Sequence, residues 1–390
     1  MKKIILMLAC ASLMATSATA QEALVKEASK AFGGNVEAKA AALEKLTPAL
    51  TNPETAKDAN TWLTGGKLAL GIVDEYTKLK VMGQAVDNDA LATALDCGYT
   101  MLATALPLDT VPEIDKKTGQ PKLDKNGNVK VKTKHSKEIL SLLGGHVGDL
   151  AQMGDIFLGE NQYAKAAEAY SNYIGFVQSP LATIAGAPVP ADTVLGNYNF
   201  LAGYCTYFSD VEEKDYLTAF NYFKKALSLG YTGNQCKEFR DAAFLSNVQN
   251  MMTHENQKDN IIPFIDSAIA TDPQSPNFYD IKGQVLLGEE KVAEAKALFK
   301  TAMEKDPNYG DSYLNYARAL YEEANAYIAA NSQMTDVQLK PTLIPIYEEA
   351  MPYLQRAIQL DKSENKTLQT QANSLIEDIN YKFELLGHKK

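Results

Sequence analysis

The sequence predicts an all-α fold, a solenoid of helix-turn-helix pairs, on three observations. Residues 276–307 read PNFYDIKGQVLLGEEKVAEAKALFKTAMEKDP, with small residues at Gly283, Ala295 and Ala302 set among bulky Tyr279, Leu286 and Phe299. The pattern returns every 34 residues: Pro273 precedes Pro307, Ala268 precedes Ala302, and Tyr313, Ala317 and Leu320 follow Tyr279, Gly283 and Leu286. Helical apolar spacing fills most of the chain and breaks conspicuously at one polar stretch, 109–135. The physical reading is close helix packing: small residues sit where helices approach, and bulky ones fill the spaces between them.

A 34-residue period of this kind resembles the tetratricopeptide repeat. The resemblance covers about 147–362 and implies a right-handed superhelix of roughly five to seven units. It also implies a surface for protein or peptide partners along the concave face.

In chain order, 1–20 reads as a signal peptide: Lys2 and Lys3, the apolar run from Ile4 to Met14, and Ala18-Thr19-Ala20 as the cleavage motif. Mature protein would begin at Gln21, and attachment of lipid at Cys10 is disfavoured by the short apolar run and by Met7. Residues 21–135 read as divergent helical repeats. Two Ala-rich helices precede Pro53, Trp62, Gly65, Gly66 and Ala69 open another unit, and its partner helix spans Asn88 to Leu106. The stretch 109–135 is rich in Lys and Gly; Thr118-Gly119 and Asn126-Gly127 predict turns, with two short strands possible in a protruding loop. The solenoid proper is expected over 136–362. Ser136 is read as the N-cap of a long helix running to Leu158, and Gly144-Gly145 as a helix crossing. Pro263 and Pro352 require late helix starts or kinks, because an interior proline lacks the N–H. Residues 363–390 supply a polar-faced capping helix and tail.

The formal charge is -10, or -12 once the two leader lysines are removed, which argues against nucleic acid and anionic lipid as partners. No run after the leader reads as an integral membrane segment, so the expected location is the periplasm. Cys97, Cys205 and Cys236 remain after processing; Cys97 reads as a buried small hydrophobe, and a bridge between Cys205 and Cys236 is conceivable.

No catalytic constellation emerges. The four histidines lack ligand spacing, since Lys258 stands where a zincin motif opening at His254-Glu255 needs its second histidine. Asp124, Asn126 and Asn128 lack the glycine spacing and closing acid of a calcium loop. No phosphate-binding or nucleophile-elbow motif occurs, so no cofactor, metal or enzymatic activity is expected. The resemblance supplies a sharper comparison. Repeats that grip a chaperone's C-terminal carboxylate carry lysines and asparagines at set first-helix positions. Here those positions hold Ala243, Asn247 and Asn250, then Asn277, Asp280 and Gln284, then Asp311, Asn315 and Arg318. The lysines are missing, yet Asn247, Asn250, Asp280, Gln284, Asn315 and Arg318 form a candidate partner-binding row. For Arg318 the competing reading is a surface pair with Glu322. Asp109-Thr110-Val111 and Asp192-Thr193-Val194 each resemble an O-glycosylation sequon, marking Thr110 and Thr193, both in expected loops. The function expected is a non-catalytic periplasmic scaffold acting through its concave face. The alternatives are an adaptor for a periplasmic protease or envelope-assembly complex, or a glycan binder, against which the single Trp62 counts.

Overall fold

Residues 18–233 and 235–388 are described by a computed structural model. Residues 1–17 of the expected leader, including Cys10, lie outside the described residues. The chain forms two compact units, dividing between Ala243 and Phe244.

The first unit contains α1 (Ala18–Ala28), α2 (Val36–Thr51), α3 (Ala59–Val81) and α4 (Asn88–Leu108), then a polar insertion with β1 (Val111–Pro112) and β2 (Val131–Lys132). It continues through α5 (Ser136–Gly145), α6 (Val147–Gly159), α7 (Tyr163–Val177), the short α8 (Pro180–Ile184), α9 (Asp192–Phe208) and α10 (Tyr216–Ser228). The division falls inside α11 (Cys236–Thr253). The second unit adds α12 (Lys258–Thr271), α13 (Pro276–Gly288), α14 (Val292–Lys305), α15 (Gly310–Ala330), α16 (Asp336–Leu360) and α17 (Thr367–Leu385).

The repeat is visible as one recurring contact. A methyl group on Gly154 of α6 would lie 2.3 Å from the Tyr170 ring of α7, and one on Gly283 of α13 would lie 2.6 Å from Phe299 of α14. Both pairs are 16 residues apart. Gly203 of α9 meets Phe223 of α10 at 3.0 Å across 20 residues, the extra four lying in a longer turn. The small residue lets the two helices close on the flat of an aromatic ring, and all three rings are almost wholly buried. The turns match as well: Asn161 and Glu290, each seven residues past its glycine, take the left-handed conformation at φ 58° and 62°. Asn tolerates that region; Glu pays for it.

Helix starts follow side-chain chemistry. Asn35, Asp58, Asp87, Ser179 and Asp215 accept hydrogen bonds from first-turn N–H groups, and Thr335 with Gln338 forms a capping box. Ala350, Leu354 and Ala357 arrive 21 residues later than the 34-residue period sets from Ala295, Phe299 and Ala302, and the excess goes mainly into longer helices: α15 and α16 run 21 and 25 residues. Pro341, Pro345 and Pro352 all lie inside α16, so Pro352 marks no late start. Pro263 lies inside α12, which begins two residues before Asn260. α17 closes the second unit, burying Ala372, Leu375, Ile379 and Phe383 against the core formed with α15 and α16.

Several local expectations are corrected. The helix expected from Ser136 to Leu158 is two helices, broken at His146 after the Gly144-Gly145 pair. Gly144 does serve a close approach, since a methyl there would meet the Ala185 carbonyl oxygen at 2.7 Å. Ser136 is not the cap. Asp109 is: its carboxylate accepts from the N–H of Lys134, His135 and Ser136 and from the Ser136 hydroxyl, at 2.6–3.1 Å. One carboxylate thus ties both ends of the insertion together and caps α5. Burial raises the Asp109 pKa and these hydrogen bonds outweigh it, leaving a net depression.

The insertion is more ordered than a hairpin. Its three limbs bond in a ring, Glu113 N–H to the Lys130 carbonyl, Lys130 N–H to Lys122 and Lys122 N–H to Glu113, each at 2.7 Å. Asp115 and Asp124 shape the two turns by accepting backbone N–H groups, and Gly119 and Gly127 supply the positive φ that follows.

Cys205 and Cys236 are free, buried thiols, so the conceivable bridge is not formed. Burial pushes Cys205 up to about 12, and Cys97 and Cys236 up to about 11, which keeps all three unreactive. α4 is long and apolar enough to cross a membrane, contrary to the run-length expectation; here Leu91, Ala94, Leu95, Leu102 and Ala105 bury it in the first unit's core.

Candidate functional site

The candidate row lies in the second unit on α11, α13 and α15. The repeat period places its members on equivalent turns, but the structure sorts them into two kinds. Asp280 of α13 is fully buried and Asn315 of α15 nearly so. Asn315 Nδ2 donates to both Asp280 carboxylate oxygens at 3.0 and 3.2 Å, and Gln284 Nε2 donates to one at 2.7 Å. Asn315 Oδ1 in turn accepts from Arg318 Nη1 at 3.2 Å, while Arg318 Nη2 donates to Gln371 Oε1 of α17 at 3.0 Å.

The direction of these bonds matters. Arg318 donates to the amide oxygen of Asn315, whose amide nitrogen donates to Asp280. Asn315 is therefore an amide bridge between a guanidinium and a carboxylate that do not touch. Burial pushes the Asp280 carboxyl up to about 6, with the Asn315 and Gln284 donors holding it below what burial alone would give. The bridge links α13 to α15, and Gln371 extends it to α17.

The consequence for the row is specific. Asp280 and Asn315 are interior groups that lock consecutive first helices together. Gln284 and Gln371 are exposed, and Arg318 is half-buried. Arg318 makes no pair with Glu322, whose carboxylate accepts from Asn325 instead. Asn247 is buried, its amide nitrogen 3.5 Å from Met251 Sδ. Asn250 is exposed, its side chain outside the network; its carbonyl accepts from Thr253 and faces His254 Nδ1 at 2.8 Å. The structure therefore joins Asp280, Gln284, Asn315 and Arg318 and leaves Asn247 and Asn250 apart. Gln371 is the member that sequence reasoning missed, because α17 stands outside the 34-residue register that selected the others.

Thr110 is exposed in the loop after α4, its hydroxyl donating to the Pro107 carbonyl at 2.6 Å. Thr193 is exposed too, but it lies in the first turn of α9 rather than in a loop. Trp62 is half-buried and donates to the Ala56 carbonyl at 2.8 Å. Among the described residues no group of three or more His, Cys, Asp and Glu side chains converges as metal ligands would.

No curated protein matches the sequence. Among solved structures the chain is similar to YrrB, described as a TPR protein with an unusual peptide-binding site, at 15% identity, covering 57% of this chain and 90% of that one with a TM-score of 0.29. It is similar to the TPR2AB domain of yeast Sti1 in complex with pHSP90, at 14% identity, 81% and 100% coverage and a TM-score of 0.26. It is also similar to Acl4, an assembly chaperone of RpL4, at 13% identity, 82% and 98% coverage and a TM-score of 0.34. The match to a family model falls on residues 286–327, from Leu286 of α13 through α14 into α15, and its description is tetratricopeptide repeat. That window lies in the helix pairs where small residues meet buried rings at the 34-residue period, and over residues 286–327 the chain matches a tetratricopeptide repeat.

Proposed function

We propose that the protein is a non-catalytic scaffold of the periplasm that binds a protein or peptide along the first-helix row of its second unit. The observation that carries this is the state of Arg318. Two of its N–H groups hold Asn315 and Gln371, which fixes the guanidinium plane, and three of its five donors remain for a partner. A pre-set guanidinium flanked by the exposed amides of Gln284 and Gln371 suits backbone carbonyls or a carboxylate of an extended segment. YrrB and the Sti1 domain are described with peptide or protein ligands, which agrees with such a surface. Adaptor service to an envelope protease or assembly complex is a finer version of the same reading. O-linked glycans at Thr110 and Thr193 would decorate exposed sites in the first unit.

The test is affinity capture from envelope extract followed by titration of the recovered partner. Arg318→Ala and Gln371→Ala should each weaken it about tenfold, the worth of one charge-assisted hydrogen bond. Unchanged affinity in the double variant would remove the row from the binding surface.

A further inference from the structure

The insertion between α4 and α5 is a rigid arm with an unusual surface. Val111, Ile114, Leu123, Val129 and Val131 are each between 45% and 61% exposed. They are carried on the hydrogen-bonded ring of Glu113, Lys122 and Lys130, and Asp109 pins the base. An ordered arm that holds aliphatic groups in water is a surface built to be covered. Its charge says by what. Residues 109–135 hold seven lysines against four acids, a net of +3, so the remaining chain carries -13 of the total -10. Lys116, Lys117 and Lys125 stand at the arm's two turns and Lys122, Lys130 and Lys132 on its paired limbs, where charge discourages strand addition and favours contact through side-chain faces.

The same unit has a surface of the opposite kind. A cleft of about 280 Å³ opens between α4, α6 and α7. Its floor is apolar, made by buried Leu95, Leu150, Met153 and Phe157, and Asp89, Asp96 and Glu168 stand on its rim. The cleft's one cation, Lys165, is paired with Asp89 at 2.6 Å and lies over the Phe157 ring. Asp96 receives one amide hydrogen bond, from Asn172 at 3.3 Å, and faces Glu168 with no cation between them. Burial and that neighbouring carboxylate raise the Asp96 pKa, as expected where two like charges await a counter-ion.

We propose that the lysine-bearing, aliphatic arm of one chain docks in the acidic, apolar-floored cleft of a second copy. The contact is between chains because the arm starts at the C-terminal end of α4, while the cleft lies toward its N-terminal half. From Asp96 to Asp109 is about 20 Å along the helix at 1.5 Å per residue, and Asp109 holds the arm's base in place. Each copy offers one arm and one cleft, so two copies can exchange arms in a closed two-fold pair, and a head-to-tail arrangement builds rings or chains. It uses neither Arg318 nor the second unit, and it stands or falls independently of the partner-binding row.

Sedimentation of the purified protein tests it. The average mass should rise with concentration at low salt and fall back at about 0.5 M salt, where charge pairing is screened. An arm variant (Lys117→Glu, Lys125→Glu, Lys130→Glu) and a cleft variant (Asp96→Lys, Glu168→Lys) should each lose self-association by thirtyfold or more. Mixing the two should restore it, since the acidic arm then meets a basic cleft. Melting curves establish that both variants are folded, and the wild-type concentration and salt series needs no variant. A wild type that stays monomeric to its solubility limit overturns the proposal. So does self-association that persists in the cleft variant. A monomer that sediments with phosphatidylglycerol vesicles would assign the arm to an anionic membrane instead.

Discussion

Asp280→Asn should reshape the pH dependence of stability more than it alters stability at any single pH. The carboxyl is fully buried in the second unit and titrates near 6 in the folded protein against an ordinary 3.8. Its folded value is raised, so its favourable contribution is complete below the unfolded value and is lost as pH rises through the folded one. At about 1.4 kcal/mol per tenfold change in acidity, the charged form costs the native state about 3 kcal/mol at neutral pH. Asparagine cannot titrate. It keeps one oxygen for a donor but sets an NH₂ against Asn315 Nδ2, and Asn315 cannot turn over because Arg318 holds its oxygen. The variant therefore exchanges the cost of a buried charge for a lost hydrogen bond of about 1–2 kcal/mol. Urea midpoints for wild type and variant, taken every half unit from pH 7.5 to 4, read the difference directly. Wild type should gain on the variant by about 2–3 kcal/mol over that range. Asp109 and Asp361 have depressed values and withdraw their support only at lower pH, so they leave this window clear. Parallel profiles for the two proteins would refute the account of a buried, amide-bridged carboxylate.

Ala302→Trp forces an indole into a wholly buried site on α14 and should cost about 3 kcal/mol or more in a urea melt; an unchanged midpoint would undo the repeat register. Glu290→Gly relieves a left-handed residue at the α13–α14 turn and should stabilise by about 0.5–1 kcal/mol, whereas the same change at a right-handed turn residue would not. Asp109→Ala removes the carboxylate hydrogen bonds that pin the base of the insertion, so it should lower stability by about 2 kcal/mol. The same variant should expose the arm to trypsin at the turn residues Lys116, Lys117 and Lys125 sooner than wild type. First cleavage inside 276–307, in either protein, would contradict the assignment of that segment to the core.

The reach of the sequence is clearest in α13 and α14. Gly283, Phe299 and Ala302 announced a close helix crossing, because a small residue opposite an aromatic at fixed spacing has one efficient use in a helix pair. The same contact recurs at Gly154 and Gly203. Lys117 to Lys134 and two Gly-bearing turns likewise marked a protruding insertion. Periodicity also placed Asp280, Gln284, Asn315 and Arg318 on one side of successive first helices.

Which of those side chains face solvent and which face the next helix was decided only by tertiary packing. A 3.6-residue period gives direction from one helix axis, and burial depends on how near the neighbouring axis comes. Asp280 reads as a polar surface residue until Asn315, 35 positions on, covers it. Gln371 enters the row only because α17 packs beside α15. Asp109 became the cap of α5 through bonds to residues 25–27 positions away, which no local cap motif reports. The sequence by itself determined the helix pairs and their spacing, since those follow from contacts within one repeat. The tertiary structure decided the rank of each polar group as lock, cap or free donor, since that rank depends on desolvation by segments distant in the chain.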